Sequence, residues 1–114
     1  MIADFRGKTA FITGGASGIG LGMARAFGRA GMNILIADID KQAAAAAVEQ
    51  LAAQQIRAAP VHCDVSELGS LRTAALEAIA KFGKIHLVCN NAGVAVGGQI
   101  GSVGARDWDW IIDV

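Results

Sequence analysis

Gly14, Gly18 and Gly20 fall within one short run, Thr13-Gly14-Gly15-Ala16-Ser17-Gly18-Ile19-Gly20. Glycines at this spacing suit the binding of a pyrophosphate by main-chain atoms. Gly14 permits a tight turn, Gly18 lets the backbone approach the phosphates, and Gly20 lets a helix pack near a sheet. A helix that starts here presents unpaired N–H groups and a partial positive charge to an anion. Ser17 adds a hydroxyl donor. The run holds no lysine, so it is not a P-loop, which needs Gly-Lys-Ser/Thr at the helix start. Asp38 follows 18 residues beyond Gly20. A carboxylate at that distance can accept both hydroxyls of an adenosine ribose and would repel a 2′-phosphate, which selects NAD over NADP. Ala16, Ser17 and Ile39 carry no positive charge that would reverse the preference. The plainer reading is that Asp38 only ends a strand. It is not needed as a helix cap, because Asp40 can serve there.

Other chemistry-bearing residues are sparse. His62 and His86 stand apart, flanked by apolar residues, without a set of Cys, Asp or Glu around them, so no metal site is expected. His62 reads as a strand-end residue and His86 as a strand residue. Cys63 and Cys89 form no Cys-x-x-Cys pair and read as two reduced thiols. Trp108 and Trp110 read as helix packing or interface rather than as a stacking site. The alanine run from Ala43 to Ala47 reads as helix-forming rather than as a binding box.

Strand and helix patterns must position these groups, and they alternate. Lys8–Thr13 is a short apolar strand entering the glycine run. Gly18–Arg29 is helical, with Ile19, Met23, Ala26 and Phe27 at helical spacing, and Gly31 ends it. Asn33–Ala37 is a second buried strand, and Asp40 caps a helix over Lys41–Gln54. Arg57–His62 is a third strand whose Pro60 suits an edge position. A helix marked by Ser66-Glu67 runs to Phe82 and ends at Gly83. Ile85–Cys89 is a fourth strand, followed by Asn90-Asn91-Ala92-Gly93, a glycine-rich loop over residues 94–104, and a last helix over Arg106–Val114. Alternation of this kind implies right-handed crossovers and an α/β fold, a doubly wound parallel sheet of Rossmann type with strand order 3-2-1-4. The chain reverses direction across the sheet between strands one and four, and ligands bind in the crevice at such a switch point. Both glycine loops open onto it.

Composition agrees. With 54% hydrophobic and 18% charged residues, the 114-residue chain is richer in core than an ordinary domain, as strands covered on both faces require. One domain, residues 1–114, accounts for the length. A formal net charge of zero gives no attraction to nucleic acid or to an anionic membrane. No apolar stretch approaches the roughly 18 residues that span a bilayer. The N-terminal Met-Ile-Ala-Asp-Phe-Arg-Gly-Lys has no apolar export region. A cytoplasmic location is the expectation.

The spacing Thr-Gly-x-x-x-Gly-x-Gly resembles the fingerprint of the short-chain dehydrogenase/reductase family. Asn90-Asn91-Ala92-Gly93 is similar to that family's motif after its fourth strand, and Asp64-Val65 to its pair after the third. Trp108-Asp109-Trp110-Ile111-Ile112-Asp113-Val114 resembles the helix that follows. The resemblance implies that Asp64 binds the adenine amino group with the Val65 backbone assisting. It implies that Asn90 steadies the central sheet, and that Ala92 and Gly93 lie beside the cofactor ribose. Ile19 would sit on the nicotinamide side, or pack in the core.

The family's proton chemistry uses a tyrosine, a lysine four residues later, a serine and an asparagine. This chain has no tyrosine, its last lysine is Lys84, and the family asparagine would fall directly after Val114. The expectation is a truncated chain: the NAD-binding N-terminal part of a longer oxidoreductase, with a sheet incomplete on its C-terminal side and catalytic residues downstream of Val114. The parent would move hydride between nicotinamide and a small alcohol or carbonyl substrate, and the resemblance suggests a homo-oligomer. The alternative is a stand-alone nucleotide-binding or interaction module without catalysis.

Overall fold

The computed structural model describes residues 4–114. Met1, Ile2 and Ala3 of the N-terminal reading lie outside the described residues. The apolar runs become four strands, β1 Thr9–Thr13, β2 Asn33–Asp38, β3 Ala58–His62 and β4 Leu87–Cys89. They alternate with four helices, α1 Gly18–Arg29, α2 Lys41–Ala53, α3 Leu68–Phe82 and α4 Ala105–Asp113. All strand pairings are parallel, in the order β3-β2-β1-β4. The doubly wound sheet expected from the alternation is therefore present. Pro60 lies on β3 at the sheet edge, where the ladder loses no bond to its missing N–H.

Alternation of side chains along the strands builds two cores. Ile12, Ile34 and Ile36 point to one face and pack with Ala24 of α1 and Ala44 and Leu51 of α2. Phe11, Leu35 and Ala37 point to the other and pack with Ala74 and Ala78 of α3. The strands are thus apolar throughout because both faces are covered. Each large side chain buried in this way contributes about 1.5–3 kcal/mol.

The helix facing departs from the sequence pattern by one residue. Gly20 and Ala24 are the buried positions of α1, while Met23 and Phe27 pack only at the margin of the core and Ala26 is exposed. Small residues on the inner stripe let the helix axis approach, and the larger ones then fill the flanks. Ile19 is 77% exposed, so it is not a core residue.

Chain reversals are local. Asp40 caps α2, its Oδ1 accepting from the Ala43 N–H at 3.0 Å. Gly31 and Gly83 adopt φ of +94° and +83° at the ends of α1 and α3, the left-handed conformation that favours glycine. After α2 that conformation falls on Gln55 at φ +62°, which no glycine announces. Ser66 does not cap α3. Glu67 stands at its N-cap without a side-chain bond, and the Ser66 hydroxyl donates to Asp64 instead. No helix among the described residues is long and apolar enough to cross a membrane. Among them β4 has a partner on one side only, and Val88 is exposed there.

Candidate functional site

The loops that leave β1 and β4 meet at the carboxyl end of the sheet, and Thr13 joins them. Its hydroxyl accepts from the N–H groups of Asn91 and Ala92, both at 3.0 Å, and donates to the Cys89 carbonyl at 3.3 Å. A hydroxyl offers one donor and two acceptor sites, so Thr13 uses its full capacity. The Asn91 amide then donates to the carbonyls of Thr13 and Gly14 at 3.1 and 3.3 Å. Asn91 therefore holds the β4 loop against the glycine run. Asn90, assigned that steadying part by resemblance, is exposed and lies outside the crevice lining. Successive side chains leaving a strand point to opposite sides, and only the second asparagine faces β1.

The glycine run is shaped by close approach. Gly14 has φ +63°, and a Cβ there would lie 2.9 Å from the Ala92 Cα. A Cβ on Gly20 would lie 2.2 Å from the Gly14 carbonyl oxygen. Gly20 is thus required by the loop above it, more than by the sheet, and it does not line the crevice. Gly18 differs. At φ +53° its added Cβ would meet nothing within 4 Å, so the backbone there faces open space.

Ser17 is the N-cap of α1 in extended conformation, and its side chain makes no capping bond. The first N–H groups of the helix have no intrahelical acceptors, and the first turn carries no acid to neutralise them. The end of α1 therefore presents backbone donors, a free hydroxyl and the positive end of a dipole to the crevice.

Asp38 faces this helix end from β2. Its Oδ2 accepts from the Ala16 N–H at 3.2 Å and its Oδ1 from the Asp40 N–H at 3.0 Å. It does more than end a strand, because it ties the glycine run to β2. Each carboxylate oxygen keeps a further lone pair, so a diol could still be accepted. Asp64, after β3, takes the Ser66 hydroxyl and N–H on Oδ1 at 2.6 and 3.0 Å. Those two bonds, the hydroxyl first, hold its carboxyl below the usual carboxylate range. Its Oδ2 has no partner among the hydrogen bonds of the described residues.

These groups surround a crevice of about 620 Å³, within the size range of small-molecule sites. Of the residues assigned from sequence, Gly14, Ser17, Gly18, Ile19, Asp38, Asp64, Val65, Ala92 and Gly93 line it, and Gly20 and Asn90 do not. Ile39, weighed from sequence only for its lack of charge, also lines it, as do Cys63, Ser66, Asn91, Val94, Trp110 and Val114, which were not assigned to the site. Asn91, Trp110 and Val114 all stood within quoted motifs, but nothing in those motifs turned Trp110 toward the crevice rather than toward helix packing or an interface. Burial pushes the Cys63 thiol above the ordinary thiol range, an effect that the neighbouring Ser70 hydroxyl offsets only in part. No cluster able to hold a metal occurs among the described residues.

The sequence model of the family described as short chain dehydrogenase matches residues 8–114. The chain belongs to the short chain dehydrogenase family. Among curated members it is 37% identical over 111 residues to a CLA biosynthesis dehydrogenase/reductase of Lactiplantibacillus plantarum, covering 97% of this chain and 39% of that protein. It is 42% identical over 112 residues to a C alpha-dehydrogenase of Sphingobium sp., covering 97% and 37%. A family structure from Burkholderia phymatum, solved in complex with NAD, superposes with a TM-score of 0.94 at 39% identity, over 99% of this chain and 40% of that one. The chain thus spans about two fifths of the length of these relatives.

Proposed function

We propose that this chain is the cofactor-binding part of an NAD(H)-dependent oxidoreductase that interconverts a small alcohol and its carbonyl form. The observation that carries the reading is the crevice at the switch point, lined both by the uncapped end of α1 and by Asp38, with open space beside the Gly18 backbone. The donor set fits a dinucleotide. Gly14, Ser17 and Gly18 would hold the pyrophosphate on backbone N–H groups and one hydroxyl. Asp38 would accept the adenosine ribose hydroxyls and repel a 2′-phosphate. Asp64 and Val65 would receive the adenine, while Ile19, Ala92 and Gly93 would border the nicotinamide ribose. Gly20 and Asn91 would act through the loops they hold in place.

Nicotinamide, when bound, supplies the hydride donor or acceptor. The residues of this chain bind and orient the cofactor and exclude water around it. Proton exchange with the substrate oxygen falls, in this reading, to residues outside these 114, since the sequence holds no tyrosine. The NAD-bound relative from Burkholderia phymatum supports the choice of cofactor, and Asp38 with uncharged Ala16, Ser17 and Ile39 supports NAD over NADP. The family likeness supports self-association of the whole enzyme. Calorimetric titration tests the reading. NAD should bind at least tenfold more tightly than NADP, and tighter NADP binding would overturn the cofactor assignment. Tight NAD binding by a full-length protein without turnover on any alcohol or carbonyl would favour a binding module instead.

A further inference from the structure

Trp110 is the one aromatic side chain in the crevice lining, and nothing in the phosphate or ribose chemistry uses it. It lies on α4 one turn before Val114, which lines the same crevice, so the two share a helix face. Trp108, two residues earlier, lines a separate hollow with Ile100 and Ile111. The indole of Trp110 is 48% exposed, which leaves apolar ring surface uncovered at the mouth of a ligand-sized cavity. Val65, Ile39 and the Asp64 carboxylate line the same crevice, the carboxylate with its Oδ1 occupied by Ser66 and its Oδ2 without a partner among the described residues. Apolar and aromatic surface beside one carboxylate acceptor is chemistry for a flat aromatic base carrying an exocyclic amine.

We infer that Trp110 is a positioning residue for the purine of the bound nucleotide, its indole packing against the base whose amine Asp64 receives. The inference rests on the nucleotide reading above and adds to it a contact from α4, an element that makes no other contribution to the proposed cofactor set. The contact ties α4 to the occupied crevice, so α4 is more ordered with the purine bound than without it. Aromatic pairs of this kind contribute about 0.5–1.5 kcal/mol beyond burial, which corresponds to a factor of about two to twelve in affinity.

The test uses the protein that carries this chain, with AMP and nicotinamide mononucleotide as separate probes and NAD as the control. AMP should quench tryptophan emission in the unmodified protein and in Trp108→Phe, and the quench should vanish in Trp110→Phe. By calorimetry Trp110→Ala should bind AMP on the order of fivefold more weakly, Trp110→Phe should restore most of that loss, and affinity for nicotinamide mononucleotide should hold within twofold. A purely structural role for Trp110 would weaken both probes together, and that result overturns the inference. So does an unchanged emission spectrum while calorimetry reports AMP bound. If NAD itself fails to bind the unmodified protein, the nucleotide reading falls and this contact falls with it. If NAD binds and only the Trp110 signals are missing, the contact alone is wrong.

Discussion

Replacing Thr13 by Val tests whether one hydroxyl holds the two ligand loops together. The two side chains have nearly the same shape, and Thr13 is only 3% exposed, so packing is preserved while the hydroxyl is lost. Three groups lose their partner, the N–H of Asn91, the N–H of Ala92 and the carbonyl of Cys89. A buried group left unsatisfied costs about 1–3 kcal/mol. Asn91 and Ala92 are half-buried and border the crevice, so water recovers part of that cost, and the Cys89 bond at 3.3 Å is long. A total of about 2–4 kcal/mol follows, a large share of the roughly 5–15 kcal/mol by which a domain is stable. In urea, with a slope of about 1–3 kcal/mol per molar, the unfolding midpoint should fall by about 1.5 M at the middle of these ranges. Affinity for NAD should fall as well, because Ala92 and Gly93 are released from their positions. Thr13→Ser keeps the hydroxyl and should recover most of both losses. A Thr13→Val protein within about 0.5 kcal/mol of the original would refute the reasoning, as would a Thr13→Ser protein no better than Thr13→Val.

Gly20→Ala should destabilise by about 1–3 kcal/mol and weaken NAD binding, because its Cβ meets the Gly14 carbonyl oxygen at 2.2 Å, whereas Gly22→Ala, with nothing within 4 Å, should be neutral or stabilising by about 0.5–1 kcal/mol; circular dichroism melts and calorimetry compare the two. Asp38→Ala with Ile39→Arg should move nucleotide preference toward NADP, and should also lower the melting temperature, since the Ala16 and Asp40 N–H groups lose their acceptor; the ratio of NAD to NADP dissociation constants checks the first and calorimetric melting the second. Cys63 and Cys89 are free, and burial raises both thiols, so iodoacetamide should label them slowly at neutral pH. A raised folded-state value favours the neutral thiol in the fold, so this contribution to stability is present below the ordinary thiol range and is lost as pH rises through and beyond roughly pH 8–9; fast labelling at pH 7, or an intact mass showing a Cys63–Cys89 bridge, would contradict the geometry. Expressed alone, residues 1–114 should self-associate through the unpaired side of β4, where Val88 is exposed; light scattering showing a stable monomer would contradict this.

The sequence by itself determined the sheet. Period and length distinguish a strand such as Asn33–Asp38 from a helix such as Lys41–Ala53, and right-handed crossovers leave few orders for four parallel strands. It also determined the loop chemistry, because glycine at positive φ and close approach is a property of residue type, as at Gly14. Gly31 and Gly83 were legible for the same reason, and Gln55 was not, because its left-handed turn is imposed by the return of the chain from α2 to β3. Tertiary structure decided which neighbour of a pair does the work. The motif names two asparagines, and only the direction in which a strand end points assigns the crosslink to Asn91. Helical spacing in α1 named Ile19 and Ala26, and the sheet chose Gly20 and Ala24, because the closest approach of two backbones is governed by the smallest side chains between them. Asp38 was visible as an acid at the right distance, but its bond to the Ala16 N–H joins residues 22 positions apart. Trp110 was visible only as helix packing or interface, since α4 reaches the crevice by a loop whose path no local pattern specifies. Contacts set by long-range placement depend on where whole elements dock, and that is decided by the two cores on either face of the sheet.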